Sequence, residues 1–312
     1  MLPLLFAIPI FIAGIILLIK GSDILVEGTS KTALKYGIPV FIVSAVIIGF
    51  GTSSPELAVS VGAGLENNPD ISLGNIVGSC IANLLLILGI AAVIKPVKIN
   101  KCMKNEESII VLLSSIILLL FAAIGLLDEY HLIGGVLFLL LFIGSLYIIS
   151  RCAKQQKQNI EKIGIEKTRR NLLFIILGVV GVILGAWLLI ESTVSIASAL
   201  GVPSFFIALT VIAVGTSLPE LMVTITASRK NESELMIGNI IGSNVYNIFL
   251  ILGLSALLIP LHAYDALDLM VILLIATLGI FPFFYTGRML TRRKGLIFLI
   301  GYVVFIGYSL LF

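Results

Sequence analysis

The stretch Gly51-Thr-Ser-Ser-Pro-Glu56, followed by Gly74-Asn-Ile-Val-Gly-Ser79, occurs twice in this chain. The second copy reads Gly215-Thr-Ser-Leu-Pro-Glu220 and Gly238-Asn-Ile-Ile-Gly-Ser243. Both parts are displaced by the same 164 residues, and this offset also aligns flanking glycines and prolines without a gap. A match that extends over most of the chain indicates two homologous halves.

The composition indicates a membrane protein. Of the 312 residues, 59% are hydrophobic and 12% are charged, whereas about 25% are charged in an ordinary soluble domain. Apolar runs of ~20 residues, the length that crosses the hydrocarbon core, recur ten times, five in each half. The first run has no basic segment before it and no small-residue cleavage site after it, so we expect a retained helix.

The basic residues predict the orientation. All 20 Lys and Arg residues fall in alternate connections, beginning with Lys20, Lys31 and Lys35 between helices 1 and 2. Because basic connections stay in the cytoplasm, both termini are predicted to lie outside. Five crossings place the start of the second copy on the opposite side, so the halves must be inverted. Inverted repeats are typical of secondary transporters, which bind substrate near the midplane where the halves meet.

We therefore predict an all-α membrane protein with ten transmembrane helices in two inverted five-helix repeats. The first repeat is predicted over residues 1–150, a cytoplasmic linker over 151–170, and the second repeat over 171–312. Pro55 and Pro219 have no N–H and push against the carbonyl four residues earlier, so helices 2 and 7 are expected to be broken at the motifs. Unwound backbone at membrane depth is tolerated only where it lines a protein-buried or aqueous cavity.

Glu56 and Glu220 are the candidate functional carboxylates. Both lie mid-span, where an ionised carboxylate costs at least ~2.5 kcal/mol on insertion scales. No lysine or arginine occurs inside a predicted helix core, so a buried ion pair would lack a partner. The carboxylates are therefore either protonated or bound to cations.

Hydroxyl and amide side chains accompany each carboxylate. Two hydroxyls precede each carboxylate by four and three positions and share its helix face: Thr52 and Ser53, Thr216 and Ser217. Helices 3 and 8 carry polar stripes at a spacing of four: Asn75, Ser79 and Asn83, with Asn239, Ser243 and Asn247. Glycine pairs beside the stripes, at 74 and 78 and at 238 and 242, are expected to admit another helix closely.

These groups predict a site of hard oxygen ligands. Carboxylate, hydroxyl, amide and carbonyl oxygens suit calcium, which takes six to eight ligands at variable geometry, and sodium also accepts oxygens. Two negative charges balance one divalent ion. Because the same pocket could hold sodium ions instead, mutually exclusive occupancy would produce exchange.

The duplicated patterns Gly-Thr-Ser-x-Pro-Glu and Gly-Asn-x-x-Gly-Ser-x-x-x-Asn resemble the alpha repeats of sodium/calcium exchangers, within the calcium/cation antiporter superfamily. The resemblance spans nearly the whole chain, with an alpha-1 motif at 49–83 and an alpha-2 motif at 213–247. It implies a set of residues that bind calcium and sodium: Thr52, Ser53, Glu56, Ser79, Asn83, Thr216, Ser217, Glu220, Ser243 and Asn247, with the carbonyls of Gly49 and Ala213.

The resemblance implies a secondary active antiporter that exchanges sodium for calcium by alternating access in a prokaryotic plasma membrane. A proton-coupled calcium antiporter and a passive cation channel remain alternatives. The sequence contains neither His-Glu-x-x-His nor Gly-x-Ser-x-Gly, so we predict no enzymatic activity and no cofactor besides the transported ions. The expected partners are calcium, sodium and the lipid bilayer, with no nucleic acid and no obligatory protein partner.

Two positions depart from the family pattern. Ser54 stands where the second copy has the apolar Leu218. Asn247 occupies a position where potassium-dependent relatives carry Asp, which implies exchange that does not require potassium.

Overall fold

The computed structural model describes residues 4–97, 106–155, 168–200, 215–286 and 289–311. Within these ranges we number the helices in chain order: α1 (Leu4–Tyr36), α2 (Val40–Thr52), α3 (Ser54–Leu65), α4 (Pro69–Ile94), α5 (Glu106–Ala123), α6 (His131–Gln155), α7 (Thr168–Ala199), α8 (Leu218–Arg229), α9 (Ser233–Leu258), α10 (Leu267–Thr286) and α11 (Arg292–Leu311).

The helices confirm the predicted all-α membrane fold. Among the described residues, α1, α4, α6, α7 and α9 are each long and apolar enough to cross a membrane. The pair α2 and α3 forms a sixth candidate span, with a bend of 46° at the break between them. Shorter apolar segments lie in α5 and α10. Residues 201–214, which include the predicted first half of helix 7, lie outside the described residues, so the count of ten crossings stays a prediction.

The first helix is longer than a membrane span. At 33 residues and 1.5 Å per residue, α1 extends for about 50 Å, whereas the hydrocarbon core is ~30 Å thick. The expectation that Lys20, Lys31 and Lys35 occupy a connection is therefore wrong, because all three lie on α1 itself. Lys31 forms an ion pair with Glu27, one turn earlier on the same helix.

Basic connections meet on one face of the molecule. The Lys95 ammonium, which follows α4, contacts the side-chain oxygen of Asn231 between α8 and α9. Val97 forms an antiparallel β-bridge with Leu290, which precedes α11. The connections after α4, α8 and α10 therefore share one side.

Acidic and neutral connections meet on the opposite face. The Asp128 carboxylate, between α5 and α6, accepts hydrogen bonds from the backbone N–H groups of Ala263 at 2.6 Å and Tyr264 at 2.9 Å. His262 Nδ1 lies 3.7 Å from Asp70 Oδ1 at the start of α4. This segregation of connections is what an inverted pair of repeats requires.

One local detail shows the inversion directly. Asn67 follows α3 with φ 54°, and Asn231 follows α8 with φ 64°. Both residues adopt the left-handed conformation that commonly ends a helix, and they are 164 positions apart. Asn231 lies on the basic face beside Lys95, whereas Asn67 belongs to the connection that carries Asp70 on the other face. An asparagine at the equivalent position of each repeat thus forms the same turn on opposite sides.

Close glycine contacts join the two repeats. Helices α1 and α7 pack along their lengths, and a Cβ on Gly21 would lie 2.8 Å from the Val182 nitrogen. Its counterpart Gly185 would meet the Leu18 nitrogen at 2.7 Å. The symmetry-related glycines therefore allow the backbones of α1 and α7 to touch.

A second close contact joins α9 to α2. A Cβ on Gly238 would lie 2.4 Å from the Phe41 carbonyl oxygen, and one on Gly242 would lie 2.3 Å from the Ala45 carbonyl oxygen. The predicted close approach is confirmed for this pair of glycines. The equivalent partners of the pair at 74 and 78 fall within residues 201–214, outside the described part of the chain.

We expect Gly242→Ala to destabilise the protein strongly, because the new methyl group would overlap the Ala45 carbonyl and overpacking typically costs about 1–3 kcal/mol. Thermal unfolding in detergent, with size-exclusion chromatography, measures the loss. Gly62→Ala is the matched control, since no described atom lies within 4 Å of its Cβ position. Equal stability of both variants would contradict the packing between α2 and α9.

The two faces generate a labelling prediction. In a background with Cys102 and Cys152 replaced by serine, a membrane-impermeant maleimide should label Glu66→Cys in intact cells and label Arg293→Cys only after permeabilisation. Both native residues are exposed, on opposite faces. The reverse pattern of labelling would refute the predicted orientation, in which the basic face is cytoplasmic.

Candidate functional site

The backbone turns that precede α3 and α8 position the candidate carboxylates. Ser53 separates α2 from α3 with φ −80° and ψ 7°, and Ser217 precedes α8 with nearly identical angles of −86° and 5°. A proline in the first turn of each following helix removes the N–H that would continue the hydrogen bonding. Glu56 and Glu220 therefore each lie in the first turn of a helix, where the macrodipole stabilises negative charge.

Each carboxylate is held by a serine from the other repeat. Ser53 Oγ donates to Glu220 Oε1 at 3.2 Å, and Ser217 Oγ donates to Glu56 Oε1 at 3.3 Å. The side chains of Glu56 and Glu220 are at most 1% exposed. The two duplicated motifs therefore meet in the interior and form one site.

A serine on α4 and a serine on α9 complete the hydrogen bonding of the same oxygens. Ser79 Oγ donates to Glu56 Oε1 at 3.3 Å, and Ser243 Oγ donates to Glu220 Oε1 at 3.3 Å. These donors belong to α4 and α9, which pack against α3 and α8 of their own repeat. One oxygen of each carboxylate is therefore fixed by two hydroxyls, one from each half.

Four other oxygens of the site have no hydrogen-bond partner among the described residues. Glu56 Oε2, Glu220 Oε2, Asn83 Oδ1 and Asn247 Oδ1 are buried and accept no hydrogen bond from any described residue. No described lysine or arginine forms an ion pair with either carboxylate. Leaving a buried charge unpaired costs several kcal/mol. These four oxygens are consequently the atoms available to a cation or, at the carboxylates, to a proton.

Asn75 and Asn239 do not present open ligands. The Asn75 amide donates to the Glu56 carbonyl at 3.3 Å and to Ser60 Oγ at 2.9 Å, and its oxygen accepts from Thr216 at 3.4 Å. Asn239 makes the equivalent bonds in the second repeat. These two amides join neighbouring helices through hydrogen bonds, and neither belongs to the set of ion ligands that the family resemblance implies.

The two threonines of the motifs take part in the hydrogen bonds of Asn75 and Asn239. Thr52 Oγ1 donates to Asn239 Oδ1 at 3.1 Å and lies 3.4 Å from Ser243 Oγ. The Gly49 carbonyl accepts from the Ser53 N–H at 3.1 Å, and Thr52 Oγ1 lies 3.5 Å from the same oxygen. Ala213 lies outside the described residues.

Ser54 bonds to its own helix. Its hydroxyl donates to the Phe50 carbonyl at 3.1 Å, across the bend. This bond satisfies a carbonyl near the proline break and gives the extra hydroxyl of the first motif a local structural role.

The asparagines Asn83 and Asn247 lie in turns that the sequence did not predict. Each is the second residue of a π-helical segment, Ala82–Ile87 in α4 and Tyr246–Ile251 in α9. Another π-helical segment, Ser44–Ile48, lies in α2. Single π turns inside α-helices are frequent at functional sites, because the wider turn redirects side chains.

The assembled site is a buried set of hard oxygens shared between inverted halves. Carboxylate, amide and hydroxyl oxygens are the ligands that calcium and sodium accept. A membrane fold with inverted repeats, and with a buried set of cation ligands where the two repeats meet, is characteristic of the class of secondary transporters. The family described as sodium/calcium exchanger protein matches residues 6–151 and 170–311, and the chain belongs to it.

Relatives and solved structures agree with this assignment. The chain is 34% identical to an uncharacterized membrane protein of Methanocaldococcus jannaschii over 96% of this chain and 97% of the relative. It is 32% identical to the sodium/calcium exchanger MaX1 of Methanosarcina acetivorans over 95% and 96% of the two chains. A solved structure of the sodium-calcium exchanger NCX_Mj superposes with a TM-score of 0.86 at 32% identity, covering 98% of this chain and 99% of that chain.

Proposed function

We propose that this protein exchanges sodium for calcium across the membrane by alternating access, with both ions bound at the site between the two repeats. The observation that carries the proposal is the set of four buried oxygens without partners, two of them on carboxylates that lack a counter-ion among the described residues. The proposed ligands are those that the family resemblance implies: Gly49, Thr52, Ser53, Glu56, Ser79, Asn83, Ala213, Thr216, Ser217, Glu220, Ser243 and Asn247.

The charge of the site fits the proposed exchange. Glu56 and Glu220 together supply a charge of −2, which one calcium ion neutralises. Sodium ions can occupy the same oxygens, and competition for the two carboxylates makes calcium and sodium mutually exclusive. Asn83 and Asn247 add oxygens without charge, so the site has no third carboxylate for a potassium ion.

An asymmetry between the two faces supports alternating access. On the basic face, α1 packs on α8, Ser22 Oγ lies 2.8 Å from Thr226 Oγ1, and Lys230 Nζ lies 3.0 Å from Asp23 Oδ1. The equivalent pair on the other face, α7 and α3, makes at most marginal contact. In the proposed cycle, the contacts of α1 with α8 hold the basic face shut in one state, and the opposite face lacks equivalent contacts between α7 and α3.

The sequence explains why this closure is one-sided. The positions equivalent to Ser22 and Thr226 are Ala186 and Gly62, which carry no hydroxyl. The positions equivalent to Asp23 and Lys230 are Trp187 and Glu66, which form no ion pair. Repeats that fold alike therefore differ in the residues that hold one face shut.

Placement in the membrane belongs to the same proposal. With the basic face in the cytoplasm, both termini lie outside a plasma membrane. The repeats extend over 1–150 and 171–312, and the linker over 151–170. The ions and lipid are the proposed partners, with no cofactor, nucleic acid or obligatory protein partner.

Purified protein in potassium-free liposomes tests the function. An imposed sodium gradient should drive accumulation of radioactive calcium, whereas a pH gradient without sodium should not. Uptake driven only by the pH gradient would identify a calcium/proton antiporter, and equally fast calcium entry without any gradient would identify a channel. A strict requirement for added potassium would contradict the role of the neutral Asn247.

We expect Glu56→Gln and Glu220→Gln each to weaken calcium binding on the order of a hundredfold, because each removes half of the buried charge that faces the divalent ion. Isothermal calorimetry on the purified variants measures the affinity, and size-exclusion chromatography checks the fold. Ser54→Ala is the matched control within the same motif, since its hydroxyl bonds only to its own helix. Wild-type affinity in both glutamine variants would show that the carboxylates are structural.

A further inference from the structure

A buried amide outside the predicted ligand set lies beside Asn83. The side chain of Asn244, on α9, is 1% exposed. Asn83 Nδ2, on α4 of the first repeat, donates to Asn244 Oδ1 at 3.5 Å. The contact joins the two repeats directly, and it leaves Asn83 Oδ1 without a partner among the described residues.

The counterpart of this contact is chemically different. Asn247 is the counterpart of Asn83 in the second repeat, and Cys80 is the counterpart of Asn244. The Cys80 thiol lies close enough to the Asn247 side chain for a weak sulfur contact, and no nitrogen or oxygen of a described residue hydrogen-bonds to either polar atom of Asn247. A thiol is a weak donor and a weak acceptor, so it cannot fix the amide as Asn244 does.

The orientation of an amide decides whether it can bind a cation. The carboxamide of asparagine has an oxygen that accepts and a nitrogen that only donates. The N–H groups of the amide repel a cation. A rotation of the carboxamide group by 180° exchanges the positions of its nitrogen and oxygen. A partner that accepts a hydrogen bond from the nitrogen therefore favours the orientation with the oxygen free.

We propose that Asn244 is a positioning residue for ion binding, whose side-chain oxygen holds the nitrogen of Asn83 and turns the Asn83 oxygen toward the ion. The inference rests on the proposed function, because it presumes that Asn83 is a ligand. It makes the two equivalent amides different: Asn83 is oriented before the ion arrives, whereas Asn247 is oriented by the ion.

The burial of Asn244 favours this role over simple packing. Its own nitrogen, Nδ2, is buried and makes no hydrogen bond to a described residue, which costs free energy. The equivalent position of the first repeat shows that a smaller and less polar side chain fits there, because Cys80 is fully buried. Asn244 is an amide with an unpaired buried nitrogen at a position where a thiol also fits. This combination indicates that the Asn244 oxygen has a function.

Asn244→Cys tests the proposal, since it copies the chemistry already present at Cys80. Calorimetry should show calcium binding weakened roughly threefold to tenfold, because a long hydrogen bond of modest strength no longer orients the Asn83 amide. In an Asn83→Ala background the same substitution should change the affinity by less than about twofold. In the matched Asn247→Ala background it should keep its full effect.

Unchanged calcium affinity in Asn244→Cys would overturn the proposal. So would an undiminished effect in the Asn83→Ala background, because Asn244 would then act on the ion or on the fold by itself. If Asn244→Cys does not fold, Asn244→Ala is measured in the same two backgrounds. Sodium-driven calcium uptake by the wild type is measured alongside, so a failure of the exchange function is distinguished from a failure of this inference.

Discussion

Glu56 and Glu220 are buried without a described cationic side chain to balance them, and the hydrogen bonds that hold each one come from both repeats. This constraint explains the surrounding architecture. A proline in the first turn of α3 and of α8 helps to place each carboxylate at the start of a helix, where backbone dipoles favour negative charge. Asn75 and Asn239 fix the carbonyls of the same two residues. The protein thus stabilises one oxygen of each carboxylate and leaves the other oxygen available.

Much of this arrangement could be predicted from the sequence, because duplication shows which residues share a role. The offset of 164 residues paired Glu56 with Glu220 and Ser79 with Ser243, and the structure brings all four together. Pro55 predicted the break in helix 2 because a residue without an N–H cannot continue the helix. Charge in alternate connections predicted that basic loops meet on one face, as the contact of Lys95 with the loop after α8 shows.

Other features could not be predicted, for physical reasons. The π turns at Asn83 and Asn247 involve ordinary apolar neighbours, so packing rather than local sequence selects the wider turn. Comparison of the two repeats did not identify Asn244 as a candidate, because its counterpart is a cysteine. The comparison selects only positions that are polar in both repeats. The hydrogen bonds of Asn75 also could not be predicted, because its partners Glu56, Ser60 and Thr216 lie in other parts of the chain. Lys31 and Lys35 lie on α1 and not in a connection, because hydropathy gives no measure of how far a helix continues beyond the bilayer.

The serine contacts between the repeats also bear on the history of the chain. Ser53 bonds to the carboxylate of the second motif, and Ser217 bonds to that of the first. In an ancestor with a single repeat, the same two bonds would have joined two separate copies inserted in opposite orientations. Fusion of those copies would have made the pairing permanent and allowed each half to diverge. The differences between Asn244 and Cys80, and between Lys230 and Glu66, are changes that a pair of identical subunits could not have acquired.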